Sequence, residues 1–454
     1  MVQTNRLSGS PPGAQGSAGA RTPRRPAAGG PAARYHLPVL SLRPFLPTAA
    51  ICTAALTVLT ALTGCGSSGP AAAPGSSAPA VTTSGVPAAG AGPAIGTAVA
   101  IPSPSAHSGR PSAGASATPR PPAPARLHAG NPQGHEPVPA AGRAADTSHP
   151  TRVVGHGSPA GCTSAAVVAA VAAGGVITFS CGPRPVVIVL AATAKVRNAS
   201  ARVVLDGGGL VTLSGGGRRR ILYMDTCDQA QGWTTSHCQD QSSPELTVQN
   251  LTFADGDATG EKTDGGGGGA VFVRGGRFKA VNTRFVRNRC DATGPDLGGA
   301  AIRVLDQYHG LPVYVTGSTF GGAPGQGGVC SNGGALSSIG VSWVITNSLF
   351  GYNSAIGSGA NPARGGTPGG GSGGAVYTDG NRYTVRISGS LLTHNDAREG
   401  GGALFYVSND RTGTLTLTRT TARANPSHGF ETAGFPGVFF LGAGHPLTDG
   451  STLN

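Results

Sequence analysis

The chain has 454 residues and a formal net charge of +13, but the arginines before Cys65 supply six of those charges. Lysine is scarce, and the remaining arginines are scattered through glycine-rich turns. With no basic stripe interleaved with aromatics, the composition argues against a nucleic-acid partner despite the high pI.

The leader holds Arg6, Arg21, Arg24, Arg25, Arg34 and Arg43 with no acid, then an apolar run from about Thr48 to Thr63, then Leu62-Thr63-Gly64-Cys65. A basic region, an apolar region and small residues at the cut form an export signal. The last four residues resemble the bacterial lipobox. That resemblance implies cleavage before Cys65, lipid on the new terminal cysteine, and residence on the outer face of the cell membrane. A spanning helix needs roughly 20 apolar residues, more than this run offers. Residues 1–64 therefore read as a lipoprotein signal peptide, and membrane lipid as a partner through Cys65.

Residues 65–150 are dominated by Ala, Pro, Gly, Ser and Thr. Such a stretch buries too little apolar surface to offset chain entropy and reads as a disordered tether, extended by its prolines. Residues 151–454 are the folded domain.

Six cysteines follow the tether, and no Cys/His spacing of the zinc kind accompanies them. Six admit many pairings. Joining nearest neighbours gives Cys162 with Cys181, Cys227 with Cys238, and Cys290 with Cys330. The second pair would close a loop holding Asp228 and Trp233, a residue suited to stacking on a sugar ring or to packing against the domain.

A capping Thr163 or Ser164 and a terminal Gly174-Gly175 bound an apolar helix over 165–173, expected to be buried as a lid. Strands are predicted at Val176–Phe179, Val186–Leu190, Arg202–Leu205 and Leu210–Leu213. Asp206 reads as a cap in an Asp-Gly-Gly-Gly corner, and Arg218-Arg219-Arg220 as a solvated charge run.

From Glu245 onward two units alternate. One is Gly-Gly-Ala plus an aliphatic, at 268–271, 298–302, 333–336, 373–376 and 401–404. The other is a Val/Ile/Thr/Phe strand ending at Phe253, Phe285, Phe320, Phe350, Leu392 and Ala422, followed in four copies by Asn288, Asn353, Asn395 or Asn425. Neither unit can bury its apolar face alone; stacked coils about 4.8 Å apart can. Glycine supplies tight corners, and recurrent Asn suits side-chain ladders. The fold expected is all-β, a right-handed single-stranded parallel β-helix with an amino-terminal capping helix, preceded by a disordered linker.

Leu205-Asp206-Gly207-Gly208-Gly209 with Leu213-Ser214-Gly215-Gly216-Gly217 resembles the early coils of bacterial right-handed β-helix proteins of the pectate-lyase-like superfamily. The Gly-Gly-Ala-aliphatic and Phe-x-x-Asn pair resembles the repeat of polymorphic outer-membrane proteins. The first resemblance implies carboxylates around Ca²⁺ with an Arg or Lys base, or paired carboxylates for hydrolysis. The Val-Trp-Ile-Asp-His motif of the lyases and the Asn-Thr-Asp, Asp-Asp and Arg-Ile-Lys motifs of the polygalacturonases are absent.

The nearest approaches to an acid cluster are Asp255, Asp257, Glu261 and Asp264 in one glycine-rich loop, a candidate Ca²⁺ site or a solvated turn, and Asp396 with Glu399. His394 reads as a loop residue. The function expected is a non-catalytic, lipid-anchored surface protein whose loops bind a glycan or a cell-envelope or host surface. The alternative is a divergent polysaccharide lyase or glycoside hydrolase acting on acidic polysaccharide.

Overall fold

The computed structural model describes residues 127–454 except Trp233 and Thr263. The leader, Cys65, the tether before residue 127 and Trp233 lie outside the described residues. What is described is built almost wholly from β-strands, arranged in sheets of seventeen, eight and three strands. Strand pairing within the sheets is parallel, and each strand pairs with its counterpart in the next repeat. Along the eight-stranded sheet, Val271, Ile302, Leu336, Val376, Leu404 and Val438 lie in register.

Glycine sets the corner before that sheet. Gly268, Gly299, Gly333, Gly373 and Gly401 all have positive φ. At each, a Cβ would strike the carbonyl oxygen three residues ahead, so no other residue fits without moving the chain. The second copy is displaced by one: its corner glycine is Gly299, not Gly298, and Ala301 takes the place of Ala270 and Ala335.

The strands ending in Phe pack inward. Phe253, Phe285, Phe320 and Phe350 are cross-strand partners and form one column of stacked rings. Leu392 and Ala422 continue it. Beside them runs an amide ladder: Asn353 Nδ2 donates to Asn395 Oδ1 at 2.8 Å, and Asn395 Nδ2 to Asn425 Oδ1 at 2.9 Å. Each of Asn288, Asn353, Asn395 and Asn425 also donates to a carbonyl of the preceding repeat. A third row links Ser318, Ser348, Ser390 and Thr420, each backbone N–H donating to the next hydroxyl. The ladders satisfy polar groups that burial would otherwise leave costly.

The helix spans Ser164–Ala173, capped by Thr163 and ended at Gly174. It packs on the first strands with Val167, Ala170 and Val171 buried, whereas Ala165, Ala169 and Ala173 are exposed. The expectation of all-round burial is thus corrected: alanine is small enough to leave one face in water at little cost. The strands predicted at 202–205 and 210–213 are one strand, Arg202–Ser214, with a register shift between Asp206 and Val211.

Composition placed 127–150 in the tether, yet this stretch is held along the sheet corners. Ala129 N–H donates to Asn282 Oδ1, Glu136 exchanges two hydrogen bonds with Asn347, and Ala145 exchanges two with Gln249. Asp206 caps its corner through Gly208 N–H and also accepts from Thr147 of this strap. Side-chain amides of the corners, not an apolar core, order the strap; composition alone misses that.

Candidate functional site

Alternation along the eight-stranded sheet separates the main core from the sheet's other face, whose first row is itself buried apart from Lys195. Leu222 and Met224, Val271 and Val273, and Ile302 and Val304 join the main core. Their neighbours point the other way and form two outward rows. The first row runs Lys195, Tyr223, Phe272, Arg303, Ser337, Tyr377 and Phe405. The second runs Asp225, Arg274, Leu305, Ile339 and Asp379. Lys195, Tyr223 and Arg303 of the first row, with the second row, floor two clefts of about 380 and 700 Å³ that share Cys227 and Arg274 and so form one groove.

In the smaller cleft, Tyr223 stacks on Phe272 with centroids 5.5 Å apart. Lys195 lies 5.1 Å from the Tyr223 ring and Arg220 4.7 Å from that of Phe272, distances at which cation–π attraction acts. Tyr223 Oη donates to Asp225 Oδ2 at 3.3 Å. Burial and the nearby carboxylates push the phenol far above its ordinary value, so the proton stays on it.

The two aspartates differ. Asp225 is 2% exposed, and burial raises its carboxyl despite Arg274 at 3.4 Å and the Cys227 N–H. For Asp228, burial acts upward but is outweighed by hydrogen bonds from Gln231 and Ala230 N–H, with Lys195 nearby.

In the larger cleft, Tyr377 Oη donates to Asp379 Oδ2 at 3.2 Å, repeating the Tyr-x-Asp unit of 223–225 in the same phase. Burial raises Asp379 and Asp306. Asn361, from the loop over this cleft, donates to Asp296, Asp379 and Tyr377. Arg303 is 2% exposed. It donates to Ser337 and to the Asp296 carbonyl, while its Nε has no hydrogen-bond partner. Burial lowers this guanidinium to about 10.

The candidate Ca²⁺ loop does not gather its oxygens. Asp255 pairs with Arg287, Asp257 with Arg289 and Asp264 with buried Arg220, while Glu261 lines the smaller cleft. Arginines at the same phase of the next repeat hold the first two acids. Among the described residues no group of three His, Cys, Asp or Glu could hold a metal ion.

Arg220, read as solvated, is 3% exposed; only Arg218 of that run is exposed. Asp396 meets His428, and Glu399 meets Arg364. His394 is an exposed corner residue stacked on Tyr352. Disulfides join Cys162 to Cys181, Cys227 to Cys238 and Cys290 to Cys330, the nearest-neighbour pairing. The second brings Asp228 to the cleft rim.

Sequence reasoning missed Lys195, Tyr223, Asp225, Arg274, Arg303 and Asp379. The usable signal for Arg274, Arg303 and Asp379 was the alternation just after a Gly-Gly-Ala-aliphatic unit; Lys195, Tyr223 and Asp225 follow no such unit. No family model matches the chain, and no curated protein or solved structure is significantly similar to it. Among the described residues no helix is long and apolar enough to cross a membrane.

Proposed function

We propose that residues 127–454 form a right-handed single-stranded parallel β-helix of the pectate-lyase-like kind, exported and held at the cell surface by lipid on Cys65, and that its groove binds a neutral polysaccharide. The helical reading is supported by like-with-like parallel pairing in successive coils and by corners repeated at fixed phases. Export is supported by three disulfides, which persist in oxidising compartments, together with the lipobox-like Leu62–Cys65.

The groove carries the functional reading. It runs across successive coils, so an extended chain of sugars can lie along it with each unit meeting a new pair of side chains. Its lining is polar: four cations stand against seven carboxylates over the two clefts. Buried carboxylates, guanidinium groups and tyrosines are the donors and acceptors that sugar hydroxyls need. The excess of acid disfavours a polyuronate, so the ligand class is an uncharged rather than an acidic polysaccharide.

Affinity electrophoresis of the purified protein through gels containing β-1,3-glucan, xylan, galactan or arabinan tests this. Retardation by one or more of these, and none by polygalacturonate or alginate at the same salt, is expected. Selective retardation by the polyuronates would overturn it.

A further inference from the structure

The larger cleft holds an apolar seat inside an otherwise charged row. Leu305 lies between Arg274 and Ile339 along the eight-stranded sheet, the cross-strand partner of both, and Asp306 follows it in the chain. All four line the cleft, and Leu305 and Ile339 are half-buried there. Gly265 keeps the seat open. A Cβ on it would stand 2.9 Å from Leu305 Cδ1 and 3.6 Å from Arg274 Nη2, so a side chain at this position would fill the space beside both.

The polar groups around this seat are unequally committed. Asp379 accepts from Tyr377 Oη, Asn361, Asn409 and the Gly380 N–H, and Asp296 accepts from Asn361. The Asp306 carboxylate accepts from no donor among the described residues, although Arg274 is close enough to act on its charge. Arg274 donates to the Asp264 carbonyl and pairs with Asp225, which leaves it further N–H donors. An aliphatic floor with an open acceptor beside it and a donor next to it complements a secondary amide that ends in a methyl group.

We propose that the larger cleft seats the acetamido group of an N-acetylhexosamine, so that the polysaccharide of the groove is an N-acetylated one; this rests on the groove being a polysaccharide site. The methyl covers Leu305 and Ile339, the carbonyl accepts from Arg274, and the N–H donates to Asp306. An acetamide carries no charge, which keeps the ligand within the neutral class. An O-acetyl ester would leave Asp306 without a donor, a deoxy sugar would leave Arg274 without an acceptor, and a free amine would leave the aliphatic floor uncovered.

Isothermal titration of the full chain with β-1,4-linked hexamers of N-acetylglucosamine, glucose and glucosamine tests this, because the three differ only at the 2-position. The N-acetylated hexamer should bind on the order of tenfold or more tighter than the glucose hexamer, the scale of discrimination that a pocket achieves for a small apolar group. Asp306→Gly and Leu305→Ala should each remove most of that gap and leave the affinity for the glucose hexamer unchanged. Residue 306 has positive φ, a conformation glycine adopts without strain, so the first variant removes the carboxylate and spares the fold.

Equal affinity for the N-acetylated and glucose hexamers would overturn the acetamide seat and leave the neutral-polysaccharide groove standing, and so would a gap that both variants preserve. Tightest binding of the glucosamine hexamer would mean that the carboxylates select a cation, and the seat would fall. Binding of none of the three also overturns the seat. Only if glucan, xylan, galactan and arabinan likewise fail to retard the protein does the groove reading fall with it.

Discussion

Phe320 lies flat on Phe350, with ring centroids 4.6 Å apart and planes 3° from parallel. Phe285 extends the stack at 4.7 Å, and both Phe285 and Phe350 are buried. Either of these two changed to Ala should cost roughly 3–5 kcal/mol, the range for deleting a buried aromatic side chain. Chemical denaturation measures the loss. Unchanged midpoints for both variants would contradict the inward register of this column.

The Asn ladder makes a sharper demand. Asn395 Oδ1 accepts both the N–H and the Nδ2 of Asn353, and Asn395 Nδ2 donates to the carbonyl of Phe350. Changing Asn395 to Ala strips those buried groups of partners, each worth about 1–3 kcal/mol. Asn381 is exposed, and its change to Ala should stay within about 0.5 kcal/mol. Equal melting temperatures for the two variants would show that water replaces the ladder.

Inward-facing positions were legible because they repeat. Parallel pairing in register demands the same small corner, the same aromatic and the same amide in repeat after repeat, so Gly268, Phe285 and Asn353 each recur as a pattern. The groove repeats little: Tyr223, Arg274 and Arg303 each occupy an outward position under no demand to match their neighbours. Finding them requires the coil register, and the displaced Gly298-Gly299-Ala300 copy obscures it by one residue. Asp255 and Asp257 attracted notice by crowding in sequence, whereas Arg287 and Arg289, one coil away, decide where they point. The strap was invisible for a related reason: its partners, Asn282, Asn347 and Gln249, lie more than a hundred residues later.

The proposed anchor has its own test. Changing Cys65 to Ala removes the thiol that would carry lipid, so labelled fatty acid should no longer enter the protein. The product should then be uncleaved or released to the medium. Incorporation at the wild-type level would refute the lipobox reading. Loss of membrane association together with the label would indicate that at least two chains had been holding it, since one holds only marginally.

The groove also predicts a pH-dependent cost to stability. Burial raises the carboxyls of both Asp225 and Asp379. For an acid whose folded pKa exceeds its unfolded value, the stabilising contribution is complete below the unfolded value, about 4, and is lost as pH rises through the folded one. Ionising either carboxylate as pH rises is therefore at the expense of the fold, although Arg274 at 3.4 Å recovers part of the cost for Asp225. Asn at either position cannot ionise. Asp225→Asn and Asp379→Asn should each melt higher than wild type at pH 7, and the difference should shrink as pH falls towards 4. Calorimetric scans across that range decide it: a variant that melts below wild type at pH 7, with the deficit closing at low pH, would mean that the partners of the carboxylate outweigh its burial.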